Sequence, residues 1–161
     1  MKKLLLLVLL TGAPLFSQTY YSFSGSYTAS GNPIVLTVQQ PITPTKNFRF
    51  VGVEIDNQDS SNGITFTAER NGGTATVTAG TYVPVNPQDA PGTALVFTTS
   101  NAGAGSVIGN YFVAPLTFRV IDLSKVYLPF VTSAPTNNFT LRSGTFTGTV
   151  KITIVWQELS N

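Results

Sequence analysis

The sequence predicts an all-β protein: an antiparallel two-sheet β-sandwich, of jelly-roll or immunoglobulin-like topology, preceded by a cleaved signal peptide. Three observations predict it. Short runs alternate apolar and polar residues, with Gly, Pro, Asn, Asp and Ser between them. Val, Thr, Phe and Tyr dominate those runs, and these suit a pleated, half-buried surface. No window of the mature chain keeps a helical period for three turns. Strands with no helices between them pack as sheets face to face.

The first element is a leader. "MKKLLLLVLLTGAPLFSQ" has a basic start at Lys2 and Lys3, an apolar run from Leu4 to Leu10, and a turn-prone exit around Pro14. That is the layout of a secretory signal peptide. The apolar run is much shorter than the ~20 residues of a membrane-spanning helix. Cleavage is expected after Ser17, so residues 1–17 form the leader. Residues 18–161 form one domain, large enough to bury roughly two thirds of its unfolded surface.

The strands follow in order. They are expected over Tyr20–Thr28, Ile34–Gln39, Phe48–Asp56, Ile64–Glu69, Thr74–Ala79, Tyr82–Val85, Thr93–Thr98, Tyr111–Asp122, Val126–Phe130, Asn138–Leu141 and Thr145–Gln157. Turns are expected at Ser60–Gly63, Arg70–Gly73 and Leu141–Gly144. Asn71-Gly72 supplies the positive φ of a tight hairpin. Pro84, Pro115 and Pro129 each remove a ladder donor, which places them at edges or bulges. Thr99–Asn110, glycine-rich, is expected to be a loop. The last strand is the most regular. Phe146, Val150, Ile152, Ile154 and Trp156 fall on one face, and Thr145, Thr147, Thr149, Lys151 and Thr153 on the other.

Composition removes several function classes. The chain has no histidine and no cysteine, so serine–histidine and cysteine–histidine catalysis, thiolate metal sites and disulfides are all absent. Nine Lys plus Arg face seven Asp plus Glu, and two of those cations sit in the leader. The mature chain is therefore formally neutral, with no basic patch for nucleic acid. Neutrality favours self-association over mutual repulsion.

The remaining candidates are few. Glu54 and Asp56 share a strand face, as a carboxylate pair for a hydrolase would, with Glu69 as a further partner. The simpler expectation is the wet end of a strand. "DNQDSSNG", Asp56–Gly63, gathers oxygen ligands, which makes Asp56 and Asp59 candidate calcium ligands. It lacks the alternate-position spacing and distal glutamate of a helix–loop–helix calcium site. A hairpin loop whose Asp and Asn side chains satisfy backbone donors is the plainer expectation. No other cofactor is expected. "GAGSVIG", Gly103–Gly109, has the wrong spacing for a dinucleotide loop and no helix after it.

Tyr20, Tyr21, Phe23 and Tyr27 crowd the mature N-terminus. They are candidates for a binding or assembly surface: a ring platform for sugars, or a strand that completes a neighbour's sheet. The plainer expectation is a core strand. The threonine ladders Thr65/Thr67, Thr74/Thr76/Thr78 and Thr145/Thr147/Thr149 share no fixed period, and a twisted sheet cannot match an ice lattice. They read as a solvated face with unusually little charge to guard it against other sheets.

The sequence thus points to an exported, non-enzymatic structural or adhesive subunit, secreted, periplasmic or at the cell surface. Its expected partner is itself or another cell-surface protein. A carbohydrate-binding module or accessory domain on an extracellular polysaccharide is the alternative. An eight-stranded outer-membrane barrel comes third; the end "QELSN", with no closing aromatic residue, argues against it.

Overall fold

The computed structural model describes residues 19–41, 45–71, 79–80, 82–85, 88–98, 103–129 and 137–160. The expected leader lies outside them, as does the expected strand Thr74–Ala79 except its last residue. The described chain is all-β and antiparallel. Its strands are β1 (Thr19–Gln39), β2 (Lys46–Asn57), β3 (Ile64–Arg70), β4 (Ala79–Gly80), β5 (Val83–Pro84), β6 (Leu95–Phe97), β7 (Ser106–Val113), β8 (Thr117–Asp122), β9 (Tyr127–Leu128) and β10 (Asn138–Ser160).

The frame is one long ribbon. β1 and β10 pair antiparallel along nearly their whole length, from Thr19 opposite Glu158 to Gln39 opposite Asn138. This corrects two expectations. "ASGNP" and "LRSG" were predicted to end strands; instead both strands run on through them. The first stretch lies opposite Thr145–Gly148, and Leu141 and Arg142 of the second lie opposite Leu36 and Val35; the register shifts between Ser30 and Asn32 and again between Pro33 and Val35. Such bulges bend a strand and admit an extra residue. Accordingly the core residues of β1 switch from odd (Tyr21, Phe23) to even (Ile34, Leu36, Val38) across the corner, while Val35, Thr37 and Gln39 between them are buried as well. The bulge thus keeps the apolar set facing inward on both sides of the bend.

Each half of the ribbon recruits its own neighbours. The second half of β10, Val150–Ser160, pairs with β2, which pairs in turn with β8 and β9. The first half, Phe139–Ser143, pairs with β3, which pairs with β7. On the β1 side, β5 joins at Tyr21–Ser22 and β6 at Thr37–Gln39. By hydrogen bonding this is one continuous sheet. It is folded back on itself. Phe50 pairs with Trp156, and Phe139 is seventeen residues away along β10, about 55 Å if the strand ran straight. Yet the Phe50 and Phe139 rings lie 4.7 Å apart.

The space inside is filled by Trp156, Phe48, Phe50, Phe66, Phe139 and Ile152, all essentially inaccessible. Trp156 is buried as its register predicts. The predicted strand Tyr111–Asp122 is two strands, broken by a turn at Pro115 and Leu116, where Leu116 has φ 50°. The expected loop Thr99–Asn110 becomes strand from Ser106 onward. Pro84 sits in a strand that, among the described residues, pairs only with β1, and Pro129 follows β9. All three prolines thus avoid the interior of the ladder, as a missing N–H requires. Asn71 has φ 60°, as its predicted turn role demands.

Candidate assembly surface

The N-terminal aromatic residues divide between the core and its rim. Tyr21 and Phe23 are buried, Tyr27 is partly buried against the core, and Tyr20 is exposed. Tyr21 stacks on Trp156 at 6.1 Å, and Tyr82 meets Trp156 at 5.0 Å and Tyr21 edge-on at 5.8 Å. The Tyr21 hydroxyl donates to the Ala90 carbonyl. Burial, then the nearby Glu158 charge, raises the pKa of both Tyr21 and Tyr82.

Glu158 is the polar centre of this cluster, and sequence reasoning did not single it out. Its carboxylate is buried under Thr93 and Ala94, whose backbone N–H groups both donate to it. The Thr93 hydroxyl adds a bond of 2.9 Å, and Lys46 Nζ lies 3.4 Å away. These partners are more than sixty residues distant, so no local motif announces them. Gly92 is required here: a Cβ would stand 2.6 Å from Glu158 Oε1 and 2.8 Å from the Tyr21 ring. The cluster straps the segment before β6 onto the end of the ribbon.

The other carboxylates are dispersed. Glu54 and Asp56 lie on the outward face of β2, opposite Thr153 and Lys151. Glu69 is buried and sits 3.5 Å from Arg142. Asp59 Oδ1 accepts the backbone N–H groups of Ser61 and Asn62 at 2.8 and 2.5 Å. These bonds, Ser61 first, hold its pKa below the usual carboxylate value. Asp56 accepts instead from Gln58. The two candidate calcium ligands thus already serve as acceptors within their own turn. Among the described residues, no three acidic side chains gather as a cation cage.

The outward hydroxyls are largely paired with one another. Ser24 bonds Thr153 at 2.9 Å, Thr28 bonds Thr149 at 3.0 Å, and Thr147 accepts the Gly31 N–H. That is cross-strand stabilisation of the ribbon. The ladder Thr74/Thr76/Thr78 lies outside the described residues.

Several strands have one side unpaired among the described residues. β7 pairs only with β3, and its Val107 and Phe112 are exposed; β8 pairs only with β2, and its outward residues Phe118 and Val120 are 70% and 64% exposed. Val51, Val120 and Val155, together with Glu54 and Asp122, line a shallow groove of about 360 Å³ there. Arg119, the one cation of β8, is turned away: it donates to the Phe112 carbonyl and lies over the Tyr111 ring. Another edge is on β1. Between its short pairings with β5 and β6, residues 23–36 have β10 on one side and no strand on the other, among the described residues. A groove of about 810 Å³ follows this edge, walled by Phe23, Tyr27, Ala29, Ile34, Val35 and Thr98. The Tyr27 hydroxyl is buried there without a hydrogen-bond partner, and burial drives its pKa well above the usual phenol value. No Lys, Arg, Asp or Glu occurs between Lys3 and Lys46, so this edge carries none of the charges that normally keep edges apart.

No protein-family model matches the chain, and a search of curated proteins returns no match.

Proposed function

We propose that the chain is an exported, non-enzymatic β-sandwich: a secreted, periplasmic or cell-surface structural or adhesive subunit that works by self-association or by contact with another surface protein. The observation that carries this reading is the β8 edge. It presents Phe118 and Val120 to solvent on a strand that is unpaired on one side among the described residues and whose only cation is engaged elsewhere. An exposed apolar edge is a template for further strands. The sandwich assignment rests on the Phe50–Phe139 contact across the folded sheet, and export rests on the composition of residues 1–17.

The inward face is apolar and the outward face rich in Ser and Thr, the reverse of a lipid-spanning barrel with its polar lumen. A sugar platform draws less support, because Tyr21, Phe23 and Trp156 are buried.

The test is sedimentation velocity on the mature chain over a wide concentration range. Self-association is expected, and Phe118→Lys with Val120→Lys should abolish it. A particle that stays monomeric throughout, and binds no surface protein in crosslinking of its host's envelope, would overturn the reading. Deleting Thr19–Ala29 is not a suitable test, because those residues pair with β10 from Gly148 to Glu158.

A further inference from the structure

The sequence contains one Asn-X-Ser/Thr tripeptide, Asn138-Phe139-Thr140. In an exported chain that pattern ordinarily marks a surface loop able to carry an asparagine-linked glycan. Here it opens β10, the strand that β1, β2 and β3 share. Asn138, Phe139 and Thr140 are 0%, 1% and 0% exposed.

All three side chains are committed to the interior. Phe139 packs on Phe50 in the core. On the other face of the strand, the Thr140 hydroxyl is 2.9 Å from that of Thr37 and 3.5 Å from Asn138 Oδ1. Asn138 stands opposite Gln39, which is buried too, and its carbonyl accepts the Asn71 N–H at 3.0 Å. The acceptor tripeptide is therefore closed off on both faces of the strand.

We propose that a glycan on Asn138 and the folded β1–β10 ribbon exclude each other. Transfer joins Asn138 Nδ2 to the C1 carbon of an oligosaccharide carried on a lipid diphosphate. The C1–O bond breaks, the lipid diphosphate leaves, and the amide nitrogen gives up one proton. The product carries a hydrated sugar on a side chain that has no accessible surface in the fold. A close-packed interior has no room for it, and burying its hydroxyls unpaired is costly. β10 follows its partners in sequence, so Asn138 is reachable until the ribbon closes, and transfer competes with folding for one side chain. Exclusion is a property of the fold. Its bearing on the molecule rests on the export reading, to which it adds a limit on the route: where glycans are transferred to asparagine, the chain folds only as far as it escapes transfer.

The test passes the mature chain, behind a leader of the host, through a eukaryotic secretory pathway. The glycan is read as a mobility shift that an endoglycosidase reverses, and the fold as resistance to trypsin. The control carries Thr37→Val and Thr140→Val, which remove the acceptor without leaving either hydroxyl unpaired. It also carries Thr65→Asn, which sets the same Asn-Phe-Thr tripeptide on β3 with its asparagine at an exposed position. The control should be glycosylated and resistant. Glycan-bearing chain of native sequence should be cut about tenfold faster than unmodified chain. Native sequence that stays unmodified while the control is modified also supports exclusion, the ribbon having closed first. Glycan-bearing native sequence as resistant as the unmodified chain would overturn the inference. A second measurement needs no transfer. The chain has no cysteine, so Asn138→Cys supplies a single thiol, alkylated in urea with iodoacetyl-N-acetylglucosamine. On dilution the unlabelled variant should regain trypsin resistance and the labelled one should not, whereas labelled Thr65→Cys should. Recovery of labelled Asn138→Cys would overturn the inference as well. A folded, trypsin-resistant chain that never associates would remove the function reading and leave exclusion standing.

Discussion

Thr93 and Glu158 are joined three times. The Thr93 N–H lies 2.9 and 2.8 Å from the two carboxylate oxygens, and its hydroxyl 2.9 Å from Oε2. With the Ala94 N–H and Lys46, the buried carboxylate faces donors only. Glu158→Gln keeps the shape but turns an NH₂ group toward N–H groups. The expected destabilisation is about 3 kcal/mol, the cost of losing charge-assisted bonds and leaving buried donors unmet. A lowered urea midpoint with an unchanged m value is the readout. An unchanged midpoint would mean that the strap contributes nothing.

Tyr27→Phe should act in the opposite direction on the isolated subunit. Its hydroxyl is buried without a partner, so removing it should leave stability unchanged or raise it by up to about 1 kcal/mol. The folded phenol binds its proton more tightly than the unfolded one. Its contribution is therefore complete below the ordinary tyrosine value and lost as pH rises through the folded value. Ultraviolet titration should show late-ionising tyrosines, with one fewer in Tyr27→Phe.

Asp59 should govern its turn in acid. Its folded pKa lies below the ordinary 3.8, so its stabilisation is present above that value and lost as pH falls through the folded one. The amide resonances of Ser61 and Asn62 should shift together in that window, and Asp59→Asn should remove the transition. Loosening of the Leu116 N–H from the Asp59 carbonyl should follow. Amides that do not respond to acid would rule out the cap.

Phe50 and Phe139 should be energetically coupled. A double-mutant cycle with Phe50→Leu and Phe139→Leu is expected to show about 1 kcal/mol of interaction. Strictly additive effects would contradict a sheet folded back on itself.

Much of the fold was legible because local patterning is strong where one face is buried. The alternation in Thr145–Gln157 placed Trp156 inside, and the prolines marked places where the ladder stops. "ASGNP" and "LRSG" were misread for a definite reason. Gly, Asn, Ser and Pro announce that a strand is interrupted, but not whether the chain reverses or bends and continues. That is decided by the opposing strand, more than a hundred residues away. The candidate assembly surface was half legible. The shortage of charge was visible, but which edges remain open depends on pairing. The N-terminal aromatic cluster supplied the groove only in part, through Phe23 and Tyr27, while Tyr21 went to the core. Glu158 was invisible as a site because its donors come from distant backbone, which has no sequence signature.

The pairing of the first strand with the last sets a schedule for the molecule. β10 is the shared partner of β1, β2 and β3, and it follows all three in sequence. Until it arrives, three earlier strands lack the neighbour that orders them, and pairing across such separations is slow. A ribosome therefore delivers β1, β2 and β3 before the strand that pairs with all three. That delay is built into strand order.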